Sequence, residues 1–157
     1  MRLISVDLSG ADLRNAKLRK STLFRANLSG ADLRGADLEK TSMGRINLSG
    51  ANLSGLDLHA ARLSHAKLRN AILLKTRFDG AQLTHVDLRG ADMTGASLIG
   101  ADLRNAQLDG SQMDDVTFNE ADLRKVDLRS VDGLAHTWFV GIRAERAVFD
   151  GLDLTDS

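Results

Sequence analysis

The side chains best suited to acid–base chemistry are aspartates in one recurring context, Ala-Asp followed by Leu or Met. They include Asp12, Asp32, Asp37, Asp92 and Asp102. Carboxylates serve general acid–base catalysis or metal binding when a concave site gathers them. Here they recur at one position of a short sequence pattern, which indicates solvated residues and turn ligands instead. The sequence also lacks Cys, a G-x-x-x-x-G-K-[ST] loop, a His-x-x-x-His pair and a G-x-S-x-G elbow. We therefore expect no catalytic residue, no metal, no cofactor and no enzyme activity.

The pattern that places these aspartates is a repeat of five residues. From Leu3 to Leu128, every fifth residue is apolar, giving 26 consecutive apolar positions of which 21 are Leu. We call this central residue i. Position i−2 is small or apolar, as in Ala11, Ala31 and Ala51, with bulkier exceptions at Ile46 and Leu56 that we interpret as packing adjustments. The other three positions are mostly polar or Gly. Such self-similarity predicts a repeat architecture.

A period of five selects one kind of backbone. Five residues of α-helix advance about 500°, so the leucines would spiral around the helix and form no face. A plain strand alternates with period two, which fits one repeat but fails across repeats. A short extended segment followed by a turn satisfies both constraints. Gly is frequent at i+2, for example at Gly50 and Gly90, where a turn can require positive φ. The repeat therefore predicts a solenoid with a leucine-filled axis.

The units ADLRN, ANLSG, ADLRG, ADLEK, ADMTG and ADLRK resemble the pentapeptide-repeat family, whose consensus is A-(D/N)-L-x-x. The resemblance covers residues 1–130 without interruption. It implies an all-β fold, a right-handed quadrilateral β-helix with about four repeats per coil. Successive coils would stack at about 4.8 Å, the usual spacing between paired strands.

Residues 131–157 depart from the repeat and form a degenerate C-terminal coil or cap. The central position moves by one residue, to Leu134, Phe139, Phe149 and Leu154. Either a one-residue bulge with degenerate coils or a short helix capped by Asp132 explains the shift, and we favour a distorted cap. Open solenoid ends expose apolar core, so Trp138, Phe139 and Phe149 are candidates for closing the end. They equally fit a homodimer contact, the commonest oligomer type.

Residues twenty apart would lie one above another in such a coil, which reveals a basic surface. At i+2 of one wall stand Arg25, Arg45, His65 and His85, continued by Asn105 and Lys125. Neighbouring positions on that wall add Arg2, Arg62, Arg104 and Arg124 against only two carboxylates, Asp102 and Asp122. The partner-binding candidates are Arg25, Arg45, Arg62, His65, His85, Arg104, Arg124 and Lys125. The alternative is unselected scatter of surface charge. The two histidines would stack about 5 Å apart, and without a nearby carboxylate we interpret them as surface residues and not as metal ligands.

The balance of acidic and basic residues limits the classes of function that the sequence favours. Lys plus Arg and Asp plus Glu both number 21, which argues against a general nucleic-acid binder and against an acidic DNA mimic. We therefore predict a non-enzymatic scaffold that binds an unidentified protein partner, with an acidic surface, along one face of a rod. The family resemblance supplies an alternative, a DNA gyrase-binding protein that confers drug or toxin immunity by DNA mimicry. The opening has no signal-peptide-like stretch and the chain has no 18-residue apolar run, so we expect a cytoplasmic protein without membrane or DNA partners.

Overall fold

The backbone winds into coils that pair with one another one residue at a time. The structure, a computed structural model, describes residues 1–134 and 136–149. In these residues there is neither a helix nor a strand of several residues; pairing consists of single-residue parallel β-bridges from Arg2↔Thr22 onward. Up to Gln112↔Asp132 the partners lie twenty residues apart. Four pentapeptides therefore complete one coil, and we number the coils from residues 1–20, 21–40 and 41–60 upward.

Each pentapeptide forms one wall of a coil, and the walls one to four of coil two are centred on Leu23, Leu28, Leu33 and Leu38. The central N–H pairs with the next coil, and the i+2 residue turns the chain. The i+2 residues adopt positive φ whether or not they are glycine, as at Gly50 (68°) and Lys125 (62°). The turn prediction is thus confirmed, and non-glycine residues accept the left-handed conformation at most of these corners.

Four backbone hydrogen bonds recur in each regular repeat. The residue before the centre donates its N–H to the coil below, as Asn27 does to the Val6 carbonyl (2.8 Å). In the repeat centred on Leu28, the Leu28 N–H donates to the Asn47 carbonyl of the next coil (2.7 Å), and the Gly30 N–H donates to that of Ser49 (2.9 Å). The Ala31 N–H closes the turn on the Leu28 carbonyl (3.1 Å). Main-chain groups are therefore satisfied between coils and across corners, as a buried backbone requires.

The central residues fill the axis of the rod. The wall-one column from Leu23 to Leu123 is buried throughout, and Phe78 and Phe118 are buried with it. Small residues at i−2 occupy the corners. Where a corner residue is polar, its hydroxyl is satisfied locally: Thr41 donates to the Leu18 carbonyl at 2.9 Å, and Thr76 donates to the Leu53 carbonyl at 3.0 Å. Within the described residues, no helix is long and apolar enough to cross a bilayer.

The shift of frame after Asp132 is a one-residue insertion. Beyond it the paired residues lie twenty-one apart, as in Thr117↔Trp138 and Asp127↔Val148. No helix occurs in the described residues from 131 to 149, so of the two alternatives the structure has the bulge, and the coil continues above it. Phe139 stacks on Phe118 at 5.3 Å between ring centroids, which extends the axis upward. The predicted Leu154 position lies outside the described residues.

Candidate partner-binding surface

The basic residues predicted at i+2 of wall one form a vertical row at one corner of the rod. We call this row the basic column. Its members are Arg25, Arg45, His65, His85, Asn105 and Lys125. Their φ angles lie between 56° and 62°, so each side chain leaves the backbone in the same direction. The His65 and His85 rings are 4.9 Å apart and 2° from parallel, in agreement with the predicted stacking. The repeat thus converts residues far apart in sequence into neighbours.

Arg104 and Arg124 lie on the same wall, but each is already bound to a carboxylate of this chain. The Arg104 Nε and Nη2 donate to both oxygens of Asp102, at 2.8 and 2.7 Å. Arg124 repeats this geometry with Asp122. These arginine bonds lower the pKa of Asp102 and of Asp122. Two of the eight candidates are therefore already neutralised by wall-one carboxylates.

This pairing belongs to the tripeptide Asp-Leu-Arg wherever it occurs. Asp and Arg point outward on either side of an inward leucine, so an arginine two residues after an aspartate folds back onto it. The aspartate also accepts the N–H of that arginine, which closes a local turn. All six copies are paired, with the shortest N–O distance 2.6–2.7 Å: Asp12–Arg14, Asp32–Arg34, Asp87–Arg89, Asp102–Arg104, Asp122–Arg124 and Asp127–Arg129.

The other cations of wall one have no such partner. Among the described residues, no carboxylate lies within 4.0 Å of Arg2, Arg25, Arg45, Arg62 or Lys125. Arg25 instead lies over the Phe24 ring, 5.3 Å from its centroid. The wall-one carboxylates are each engaged by arginine. Five cations are therefore left to face solvent or a partner.

The structure adds Arg146, which the twenty-residue spacing misses. The Lys125 N–H pairs with the Glu145 carbonyl, which places Arg146 one coil above Lys125. Its φ is 63° and its side chain is exposed, without a carboxylate within 4.0 Å in the described part of the chain. The shifted frame visible in the sequence after Asp132 is the signal that locates it.

The C-terminal candidates divide between the axis and the surface. Phe139 and Phe149 are partly buried and meet edge to face at 6.0 Å. Trp138 lies at an outward position and is 55% exposed, next to Val140 at 65%. The structure therefore separates an aromatic stack that continues the core from an apolar pair that faces outward.

The aspartates singled out for acid–base chemistry act as turn ligands. Asp37 accepts the Glu39 N–H at 3.1 Å, and Asp92 accepts the Thr94 N–H at 3.1 Å. No group of three His, Asp or Glu side chains in the described ranges could hold a metal ion.

Comparison with known proteins agrees with the coil geometry. The family model for pentapeptide repeats matches residues 2–39, 31–70, 61–98 and 96–132, in eight copies. The chain belongs to the pentapeptide-repeat family. A comparison with curated protein sequences finds no match.

Solved structures of the same family are similar to this chain. HetL, a pentapeptide repeat protein involved in heterocyst differentiation regulation in the cyanobacterium Nostoc sp. strain PCC 7120, is 29% identical with a TM-score of 0.59. The alignment covers 94% of this chain and 62% of HetL, so the chain spans less than two thirds of that protein. A pentapeptide repeat protein of the Arabidopsis thaliana thylakoid lumen is 31% identical over 73% of this chain and 66% of its own, with a TM-score of 0.38. The plasmid-mediated fluoroquinolone resistance protein QnrB1 is 18% identical over 99% and 76%, with a TM-score of 0.37.

Proposed function

We propose that this chain is a non-enzymatic interaction scaffold, a right-handed quadrilateral β-helix whose wall one docks on an acidic surface of a cytoplasmic protein partner. The observation that carries the proposal is the unequal pairing of charge on that wall. The carboxylates of wall one form ion pairs with Arg104, Arg124 and Arg143. In contrast, no carboxylate among the described residues lies within 4.0 Å of Arg25, Arg45 or Arg62.

A rigid row of cations suits this task for physical reasons. Neighbouring coils hold the charges about 4.8 Å apart, so a partner meets a regular array without having to order flexible loops. Complementary charge raises the association rate and fixes the orientation of the complex more than it raises affinity. The contact should consequently weaken as salt increases.

A second candidate function, gyrase binding by DNA mimicry, has one observation in its favour. On wall three, opposite the basic column, Arg14 and Arg34 are tied to Asp12 and Asp32. Higher on the same wall, Asp92, Asp114 and Asp132 have no Lys or Arg within 4.0 Å among the described residues. These carboxylates lie in coils five to seven. Gyrase supercoiling assays with added protein, at several salt concentrations, test this candidate; protection from a quinolone at low protein concentration would favour it over the scaffold.

The partner can be located by site-specific photo-crosslinking in the native host. A photoreactive amino acid replaces His85 in the basic column or, as the control, Lys75 at a corner of wall three. Both positions are exposed i+2 residues with positive φ. The scaffold proposal expects one acidic protein to crosslink to position 85 and not to position 75. Equal crosslinking from both positions would contradict a docking surface on wall one.

We also propose that the outward pair Trp138 and Val140 contributes to association of two copies of the chain. Adjacent exposed apolar side chains of this size favour burial, and two-fold pairing is the commonest oligomer. A Trp138→Glu variant should stay monomeric at concentrations where the native chain dimerises, as measured by light scattering. A native chain that is monomeric at high concentration would refute this contact.

A further inference from the structure

Two apolar side chains stand next to each other on the outer surface of wall three. Ile72 and Leu74 flank the inward Leu73 in coil four, and each is 38% exposed. The same two outward positions hold polar residues in the coils directly below and above, Asn52 with Ser54 and Asp92 with Thr94. Burial of the apolar pair against another molecule would therefore be favourable.

Above this apolar pair, wall three is acidic. Asp92, Asp114 and Asp132 lie in coils five, six and seven, and none of them has a Lys or Arg within 4.0 Å in the part of the chain that the structure describes. The repeats that form the wall at these levels, residues 91–95, 111–115 and 131–135, include no Lys or Arg. Wall three thus presents one apolar level followed by three acidic levels.

Wall one carries the complementary series of levels lower on the rod. Ile4 in coil one is 41% exposed. Above it, Arg25, Arg45 and Arg62 lie in coils two, three and four, and no carboxylate of the described residues lies within 4.0 Å of them. The repeats of wall one in these coils, residues 1–5, 21–25, 41–45 and 61–65, include no Asp or Glu. The two series have opposite charge and are offset by three coils.

The lateral positions of these residues also agree. The chain crosses opposite walls of a coil in opposite directions, so position i−1 of wall three and position i+1 of wall one lie on the same side of the rod. Consider two parallel rods that meet wall three to wall one, with the second rod raised by three coils. Ile72 then lies opposite Ile4, and Asp92 lies beside Arg25, which leaves its corner on that same side.

We propose that wall three of one copy of this chain binds wall one of a second copy that is raised by three coils, about 14 Å. Contact of Ile72 with Ile4 removes apolar surface from water, and the three levels of opposite charge fix the register. A rise of two coils would place Ile72 opposite Phe24. It would also leave Ile4 against Asn52 and place no arginine of coils two to four at the level of Asp132, so the rise of three coils fits better.

This contact joins two different surfaces and leaves one of each free. Because walls one and three are opposite, every added copy still presents an unoccupied wall one or wall three. Heterologous contacts of this kind produce open assemblies and not closed dimers. The contact spans four coils, roughly 19 Å, which is the size of a weak and transient interface. We therefore expect short staggered ribbons at high protein concentration that dissociate as salt increases.

The second copy would compete with another protein for wall one, because both contacts use Arg25, Arg45 and Arg62. The inference does not rest on the function proposed for wall one, since a second copy supplies its own acidic surface. It also differs from the association proposed for Trp138 and Val140, which lie on wall four. Experiments on the purified chain alone test it without the other partner.

Disulfide trapping between two full chains tests the contact directly, because the chain has no Cys of its own. One chain carries Ile4→Cys and the other Ile72→Cys, and the mixture is incubated in a glutathione redox buffer. In the first control mixture, Ile99→Cys on wall four replaces Ile72→Cys; Ile99 is as exposed as Ile4, at 41%. In the second control, Asn52→Cys tests the register, because Asn52 lies one coil below Ile72.

We expect the mixed dimer of the Ile4→Cys and Ile72→Cys chains to form about tenfold faster, or more, than the mixed dimer of either control. Equal rates in the three mixtures would overturn the proposal. Faster trapping with Asn52→Cys than with Ile72→Cys would overturn the rise of three coils.

A charge exchange across the contact supplies an independent arm. Adding Asp92→Lys to the Ile72→Cys chain should slow trapping to the control rate, and adding Arg25→Glu to the Ile4→Cys chain should then restore it. Lys67 and Glu120 already occupy the equivalent repeat positions, so the fold accepts both changes. Asp109→Lys makes the same charge change on wall two and should leave the rate unaltered. Trapping that Asp92→Lys does not slow, or that Arg25→Glu does not restore, would overturn the proposal.

Discussion

The imidazole rings of His65 and His85 lie parallel, 4.9 Å apart, although twenty residues separate them in the chain. This distance is the spacing between paired coils. The two residues occupy equivalent i+2 positions with φ of 59° and 56°, so the backbone and not a side-chain contact sets their alignment. Any property of the basic column therefore depends on the coil repeat being regular at this corner.

The first prediction concerns the assigned inward and outward positions. Leu63 is fully buried in the axis, whereas its neighbour Ser64 faces outward and accepts a hydrogen bond from the Thr84 hydroxyl at 2.9 Å. Leu63→Asp places an unpaired charge in the core and should lower the free energy of unfolding by several kcal/mol, about 3 or more. Ser64→Asp should change it by less than about 1 kcal/mol. Urea denaturation measures both. Equal losses would show that the register is wrong.

Much of the fold follows from the sequence because each repeat specifies its own local structure. Leucine at i, a small residue at i−2 and a turn-former at i+2 determine which side faces the axis, and twenty-residue bridges follow from four such corners. Repetition then makes the stacking of His65 on His85 predictable. Where one residue is added after Asp132, the sequence leaves both a bulge and a helix open, because a short segment fits both and only pairing with coil six decides.

The second prediction is the acid dependence of the Asp-Leu-Arg pairs. Hydrogen bonds from Arg14 and Arg129 hold the pKa of Asp12 and Asp127 at about 2, below the ordinary 3.8. Because the folded-state pKa is lowered, the stability contributed is full above the unfolded value and is lost as pH falls through the folded one. Melting temperature should therefore decline between about pH 5 and pH 2.

A carboxyl NMR titration checks the cause. Arg14→Gln should raise the pKa of Asp12 while leaving that of Asp127 unchanged. Arg45→Gln, which removes a cation without a carboxylate partner, should alter neither. If the pKa of Asp12 did not change in Arg14→Gln, the assigned Asp12–Arg14 pair would be contradicted.

The third prediction concerns the upper end of the described coils. Phe118 is fully buried, and Phe139 covers it from above. A chain ending at residue 130 should expose Phe118 and aggregate or melt at a lower temperature, because a large apolar surface would lose its cover. A chain ending at residue 149 keeps the Phe118–Phe139 stack and is the matched control. If the shorter chain stayed monomeric and melted like the full one, residues 131–157 would have no capping role.

The fourth prediction separates paired from unpaired arginines on wall one. Arg104→Gln should raise the pKa of Asp102, which the arginine lowers, and leave partner binding nearly unchanged. Arg45→Gln should weaken partner binding with little effect on stability. Titration by NMR and partner affinity measure the two effects. A larger loss of affinity from Arg104→Gln than from Arg45→Gln would reverse this assignment.

The site was less predictable than the fold for identifiable reasons. Counting charges by wall treats Arg104 and Arg124 like Arg25, although the two-residue spacing to Asp102 and Asp122 already contains the information that they pair. Counting in steps of twenty residues does not reach Arg146, because the insertion after Asp132 makes the spacing twenty-one there.

The affinity of the crosslinked partner for two charge-reversed chains tests the central claim most directly. One chain carries Glu in place of Arg25, Arg45, Arg62 and Lys125. The control carries Glu in place of four cations off wall one that have no carboxylate within 4.0 Å among the described residues, namely Lys20, Lys67, Arg69 and Lys75. Both lose the same net charge. We predict that the native affinity falls with salt and that the first chain binds on the order of a hundredfold more weakly while the control stays within about threefold. Equal weakening of both chains, or salt-independent binding that survives the first reversal, would contradict docking through wall one.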